Sequence, residues 1–181
     1  QCYLRQGNVN SALLALEKAY RMDYDRNVQE TAFYNYAVAR MEGGRTPFGS
    51  SVTMFEDFLR RYPDSRYAPE VQEYLVTGYM TDNNFEKALA SINKIKRPSK
   101  AIQAAKQRVL YILGSRDLAA GRVNQALDRF KASKTLADNN RAIANECDLW
   151  IGDCYYRLGD YARASSSLNS YLKNCGATAA N

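Results

Sequence analysis

One seven-residue pattern occurs near both ends of this chain. Cys2-Tyr3-Leu4-Arg5-Gln6-Gly7-Asn8 and Cys154-Tyr155-Tyr156-Arg157-Leu158-Gly159-Asp160 share four identical residues, and Asn8 stands for Asp160. The copies are 152 residues apart, which is four periods of 38. Intermediate copies follow one grammar: a Gly or Asn that ends a helix, a short turn, then a small residue on the next helix. Gly7 leads to Ala12, Asn83-Asn84-Phe85 to Ala88, Gly121-Arg122-Val123 to Ala126, and Gly159-Asp160-Tyr161 to Ala164. The remaining copy turns at Gly43-Gly44-Arg45 and places Ser51 in the Ala position, with about two extra turn residues around Pro47-Phe48. Self-similarity at this period restricts the fold severely. Each repeat is one supersecondary unit that buries its apolar face only against its neighbours.

Within a repeat the apolar residues keep helical spacing. Ile151, Tyr155 and Leu158 fall at i, i+4, i+7, and Tyr161, Ala164, Leu168 and Tyr171 continue on a second helix. Gly159 supplies the left-handed residue that ends the first helix, and Asp160 can cap the second. The preceding repeat offers Leu110, Leu113, Gly114 and Leu118, then Val123, Ala126, Leu127 and Phe130. The small Ala allows the two helices of a pair to cross closely. Pro63 and Pro98 stop helices, whereas Pro69 sits where a first-turn proline is tolerated. No stretch alternates strictly between apolar and polar residues, so no strand is expected.

The pattern resembles the tetratricopeptide repeat family. The residues that carry the resemblance are Ile151-Gly152, Tyr155, Gly159, Tyr161, Ala164 and Leu168, with Leu113-Gly114, Gly121, Ala126 and Phe130 in the repeat before. Leu75, Tyr79, Phe85 and Ala88 carry it further upstream, as do Phe55 and Pro63. The spacing is 37 to 39 residues rather than the family's usual period of about 34. Asp148, Leu110 and Gln72 occupy the family's usual Trp position, and Asp117 stands where Tyr is expected. The resemblance implies an all-α fold, a right-handed superhelix of antiparallel helix pairs. About four and a half units form a single array, at approximately 1–27, 28–67, 68–105, 106–143 and 144–181. The stretch Phe55 to Ala68 is similar to a linker of the form Phe-x2-Phe-Leu-x2-Tyr-Pro-x-Ser-x-Tyr-Ala, common in such proteins of the bacterial cell envelope. It implies a bacterial scaffold of the periplasm or envelope, although cytoplasmic members carry the linker too. The opening residues Gln1 to Arg5 read as the middle of a helix, so the chain is expected to be a segment of a longer array.

Composition narrows the chemistry. The 181 residues contain no His. Triads with an imidazole base, His metal sites and imidazole acid–base chemistry are therefore all excluded. The four Cys form neither a CxxC nor a cluster, and Cys147 and Cys154, seven apart on one helix, are about 10 Å from each other. That is too far for a disulfide. Small buried thiols are the expectation, and neither a metal nor any other cofactor is expected. Gly43-Gly44 lacks the Lys-Ser/Thr continuation of a phosphate loop. Carboxylate neighbours such as Glu70 and Glu73, or Glu146 and Asp153, read as a solvated helix face rather than a catalytic pair. No run of apolar residues is long enough to span a membrane. The chain is read as a non-enzymatic interaction scaffold.

The resemblance also implies where a partner would bind. A protein or peptide segment would lie along a concave groove lined by the first helix of each pair. The family register places Tyr34 and Asn35, Tyr74 and Thr77, Tyr111 and Ser115, and Trp150, Asp153 and Tyr156 on that face. Tyr and Trp suit such a role because each offers a large apolar area with a polar tip. The same rings could equally pack between helices. A second surface is electrostatic. The net charge is +6, yet Lys87 to Arg116 alone holds eight basic residues and no acidic one. Lys94, Lys96, Arg97, Lys100, Lys106 and Arg108 form its core and could meet nucleic acid or an acidic partner. A protein partner is the favoured reading. A nucleic-acid reader repeats its basic and stacking residues along the groove, and this stretch does not.

Overall fold

The computed structural model describes residues 8–23, 25–42 and 48–179. The first copy of the seven-residue pattern up to Gly7 and the turn at Gly43-Gly44-Arg45 with Pro47 lie outside the described residues. Among the described residues every regular element is a helix. The chain divides into two compact halves, 1–95 and 96–181. The first half holds α1 (Val9–Arg21), α2 (Arg26–Glu42), α3 (Phe48–Arg61), α4 (Ala68–Thr81) and α5 (Phe85–Lys94). The second holds α6 (Lys100–Ala119), α7 (Val123–Lys134), α8 (Arg141–Arg157) and α9 (Tyr161–Ala179). Within each half every helix packs on the one before it, and in the second half α6 also touches α8.

The 38-residue period is visible in the hydrogen bonds themselves. Three first helices end alike. Asn83, Gly121 and Gly159 take φ of 56°, 76° and 79°. The next backbone N–H then reaches back to close the last turn: Asn84 to the Tyr79 carbonyl at 2.8 Å, Arg122 to Asp117 at 2.8 Å, Asp160 to Tyr155 at 2.9 Å. This is the Schellman closure that a left-handed residue makes available. The residue that follows begins the second helix. The side chains of Asn84 and Asp160 accept from the N–H groups of Lys87 and Arg163 at 3.4 and 3.0 Å. Arg122 cannot cap in this way, and its guanidinium bonds Asp117 instead.

The close crossing of each pair rests on small residues. Ala88 and Ala126 are fully buried, and Ala12, Ser51 and Ala164 nearly so. Glycine completes the contact from the other helix. A Cβ on Gly114 would come within 2.9 Å of the Phe130 ring, and one on Gly152 within 2.7 Å of Leu168 Cγ. Phe130 is the centre of the second half's core, surrounded by Leu118, Leu127, Cys147, Ile151 and Cys154. In the first half Phe33, Phe55, Phe58, Val71 and Leu75 have the same role.

Two departures from the repeat pattern have a structural reason. Asp117 and Asp148 replace family aromatics yet are almost fully buried. Each is neutralised by an ion pair: Asp117 with Arg122 at 2.6 Å and Arg129 at 3.1 Å, Asp148 with Lys134. A buried carboxylate without such a partner would be strongly destabilising. Two residues on apolar spacing also leave the core. Leu158 is the C-cap of α8 and is 44% exposed, and Tyr161 is 66% exposed with its ring edge-on to Tyr156. Both flank the turn at Gly159, where the helical face rotates out of the pair contact.

The linker after α3 is a folded turn. Ser65 Oγ receives the Tyr67 N–H at 3.0 Å and donates to Glu30 Oε1 at 2.6 Å, tying the turn to α2. Arg26 lies over the Tyr62 ring at 5.9 Å. These residues border an open recess of about 430 Å³ with Asn27, Thr31 and Arg66.

Candidate functional site

The first helices of successive repeats carry the residues expected to face a partner. In the second half these are α6 and α8. Trp150 on α8 donates its indole N–H to the Tyr111 hydroxyl on α6 at 3.1 Å. Both rings rest on the same core residue: Trp150 stacks on Phe130 at 6.3 Å between centroids and Tyr111 meets it edge-on at 5.9 Å. Both remain half-buried. Each ring therefore packs on the core at one side and keeps part of its surface accessible. Burial and the neighbouring Glu146 carboxylate push the Tyr111 hydroxyl above its usual range, opposed in part by Trp150.

The first half repeats this on α2 and α4. Tyr74 donates to Glu70 Oε1 at 2.9 Å. Burial first, then the neighbouring Glu70 carboxylate, raises the Tyr34 hydroxyl far above its usual range. Tyr74 is raised by burial and by the same carboxylate. One face of each ring is spoken for: Tyr34 stacks on Tyr67 at 4.1 Å and Tyr74 on Phe55 at 5.2 Å.

The small polar residues of the expected groove are tied to their own helices. Asn35 donates to the Thr31 carbonyl at 2.7 Å, Thr77 to Glu73 at 3.2 Å and Ser115 to Tyr111 at 3.0 Å. Asp153 pairs with Arg157 one turn on, at 2.8 Å. Tyr156 is 63% exposed and turns to Tyr161 rather than to Trp150. The structure thus joins Tyr34 with Tyr74, and Tyr111 with Trp150, and leaves Tyr156 apart. Glu70 and Glu146 were not among the residues expected there. Their signal in the sequence is a glutamate four residues before the aromatic of the first helix, Glu70 before Tyr74 and Glu146 before Trp150.

The basic residues lie on the surface. Lys94 ends α5, and Lys96, Arg97, Lys100 and Arg108 are exposed at and beyond the start of α6, with Lys106 half-buried. Among the described residues none of the six forms an ion pair.

Comparison with known proteins bears on the fold. The sequence profile of the tetratricopeptide repeat matches residues 31–65 and 146–176. These two segments are tetratricopeptide repeats. The matched segments cover most of α2 with α3 and the following turn, and most of α8 with most of α9. The two pairs between them close their turns with the same backbone hydrogen bond, α4 keeping Tyr79 at the repeat's Tyr position and α6 carrying Asp117 there. No curated protein matches the sequence. Among solved structures, MamA of AMB-1 is similar at 20% identity over 95% of this chain and 85% of its own, with a TM-score of 0.50. MamA from Desulfovibrio magneticus RS-1 has 17% identity over 96% and 89%, with a TM-score of 0.45. Tetratricopeptide-like repeats of a kinesin light chain from Podosopora anserina have 14% identity over 97% and 91%, with a TM-score of 0.46. The likeness to MamA of AMB-1 speaks to the fold alone: all-α, a solenoid of antiparallel helix pairs. Tetratricopeptide repeats in general mediate protein–protein interaction. No helix among the described residues is long and apolar enough to cross a membrane.

Proposed function

We propose that the chain is a non-enzymatic scaffold that holds a peptide or helical segment of a partner protein against its first helices. Tyr34 and Tyr74 are the anchors in the first half, and Tyr111, Trp150 and Tyr156 in the second. The observation that carries this reading is the Trp150–Tyr111 hydrogen bond. It fixes two large rings from successive first helices against Phe130 while each keeps an accessible side. Rigid, half-buried aromatics of this kind lose little conformational freedom on binding, which is why they dominate interaction surfaces.

Selection of peptides from a displayed random library tests the reading. Peptides that bind the parent should lose about thirtyfold or more in affinity for a Trp150→Ala/Tyr111→Ala double variant that still unfolds cooperatively, the loss expected of hot-spot truncation at about 2 kcal/mol or more. Binders that tolerate the double variant throughout the selection would place the site elsewhere.

A second reading is favoured by one observation, the exposed and unpaired cations Lys96, Arg97, Lys100 and Arg108 on the second half. They suit an acidic partner or a nucleic-acid backbone.

A further inference from the structure

The same three groups occur once in each half: a tyrosine on one first helix, and a glutamate and an aromatic one turn apart on the next. In the first half these are Tyr34, Glu70 and Tyr74, and in the second Tyr111, Glu146 and Trp150. The aromatics are 40 and 39 residues apart, so the arrangement follows the repeat. In the first half Tyr74 donates to the Glu70 carboxylate at 2.9 Å; in the second, Glu146 stands one turn before Trp150, whose indole N–H is bonded to the Tyr111 hydroxyl. Phenol donors held in this way orient the carboxylate but leave its charge uncompensated. Several other carboxylates of the chain are compensated. Glu56, Asp57, Asp117, Asp148, Asp153 and Asp160 each have a Lys or Arg partner. Among the described residues Glu70 and Glu146 have none, and both are exposed. Beside each lies an aromatic ring backed on one face by the core, Tyr74 on Phe55 and Trp150 on Phe130.

A negative charge held next to the open face of a fixed ring is the arrangement that a side-chain cation requires. The ring attracts it through its quadrupole and the carboxylate through a charge-assisted hydrogen bond. We infer that each of these clusters is a seat for the ammonium or guanidinium group of a basic peptide. The chain therefore has two such seats, one per half. This rests on the reading of the first helices as the partner surface and narrows the partner's chemistry to Lys- or Arg-bearing segments.

Trp150 is the single tryptophan, so its emission reports the second seat alone. The probe is pentalysine, compared with its Nε-acetylated form and with pentaglutamate at fixed low salt. Pentalysine should change the emission saturably, and neither of the other peptides should do so. Glu146→Gln should weaken the titration about tenfold or more, the scale of one lost charge-assisted bond, while Glu73→Gln leaves it unaltered. Calorimetry should count two sites per chain, and one in a Glu70→Gln variant. Saturation by acetylated pentalysine, an unaltered titration in Glu146→Gln, or no response to pentalysine would overturn the assignment. These outcomes are separable from failure of the scaffold reading. Library peptides that depend on Trp150 and Tyr111 but carry no excess of Lys or Arg would leave the scaffold standing and remove the cation seats.

Discussion

The buried thiols show what a single residue contributes when its charge is denied. Cys147 and Cys154 are fully buried and unbridged. Burial pushes the Cys154 thiol up to about 11, and raises Cys147 as well. The thiolate is the reactive form, so neither should be alkylated by iodoacetamide near neutral pH until the chain unfolds. The same shift has a consequence for stability. In the folded state Cys154 holds its proton to a higher pH than in the unfolded chain, whose thiol titrates near 9. Its contribution is complete below that value and declines as pH rises from about 9 towards 11, because the unfolded state then gains by ionising. Urea midpoints measured across this window should fall, and a Cys154→Ala variant should show a shallower decline. An identical decline in that variant would assign the alkaline loss to other groups. Small buried thiols could be expected from the absence of any pairing geometry in the sequence. That the carboxylates at 117 and 148 would also be buried could not, because their partners Arg129 and Lys134 lie on another helix.

At the scale of the helix pair, spacing made nearly all of the architecture legible. The turn residues at 83, 121 and 159 and the Ala at 88, 126 and 164 place the helices, and the structure repeats the same closing hydrogen bond at each turn. Less legible was which side of a half-buried ring faces a neighbour. Tyr34 and Tyr111 sit on groove positions by register, yet each also packs on a core phenylalanine. Nor could spacing show that Glu70 meets Tyr34, 36 residues upstream, since such contacts depend on how adjacent pairs stack. Leu158 and Tyr161 kept apolar spacing but fell at the turn, where periodicity no longer describes the backbone. The pair contact itself can be tested through its glycines. Replacing Gly with Ala in a helix interior gains up to about 1 kcal/mol in propensity. At Gly114 the added Cβ would press on the ring of Phe130, which is fully buried and cannot withdraw. Overpacking of about 1–3 kcal/mol should outweigh the gain. At Gly152 the obstacle is Leu168, a half-buried side chain with room to change rotamer. Urea denaturation should find Gly114→Ala the more destabilising of the two. The opposite order would mean that the α6–α7 contact yields more readily than the core around Phe130 allows.

Over the whole molecule the net charge of +6 conceals two opposed surfaces. The stretch from Lys87 to Arg116 carries +8, which leaves −2 for everything else. The seats inferred for cations lie among Glu70 and Glu146, whereas the exposed basic residues around Lys96, Arg97 and Lys100 would draw anions. No residue is shared between the two sets, so they are expected to act as separate sites once their mutual attraction is screened, over roughly a Debye length of about 10 Å at 0.1 M salt. A short DNA duplex, used as a plain polyanion, should bind at low ionic strength and dissociate as salt rises, because such binding is driven by counterion release. Charge reversal at Lys96, Arg97 and Lys100 together should abolish it and leave the pentalysine titration of Trp150 unaltered. Retention of the duplex near 0.15 M salt would make nucleic acid the principal partner of the basic stretch. No retention even at low salt would remove that stretch as an anion surface. Loss of the pentalysine response in the charge-reversed variant would instead show that the two surfaces are coupled, contrary to the separation that screening predicts.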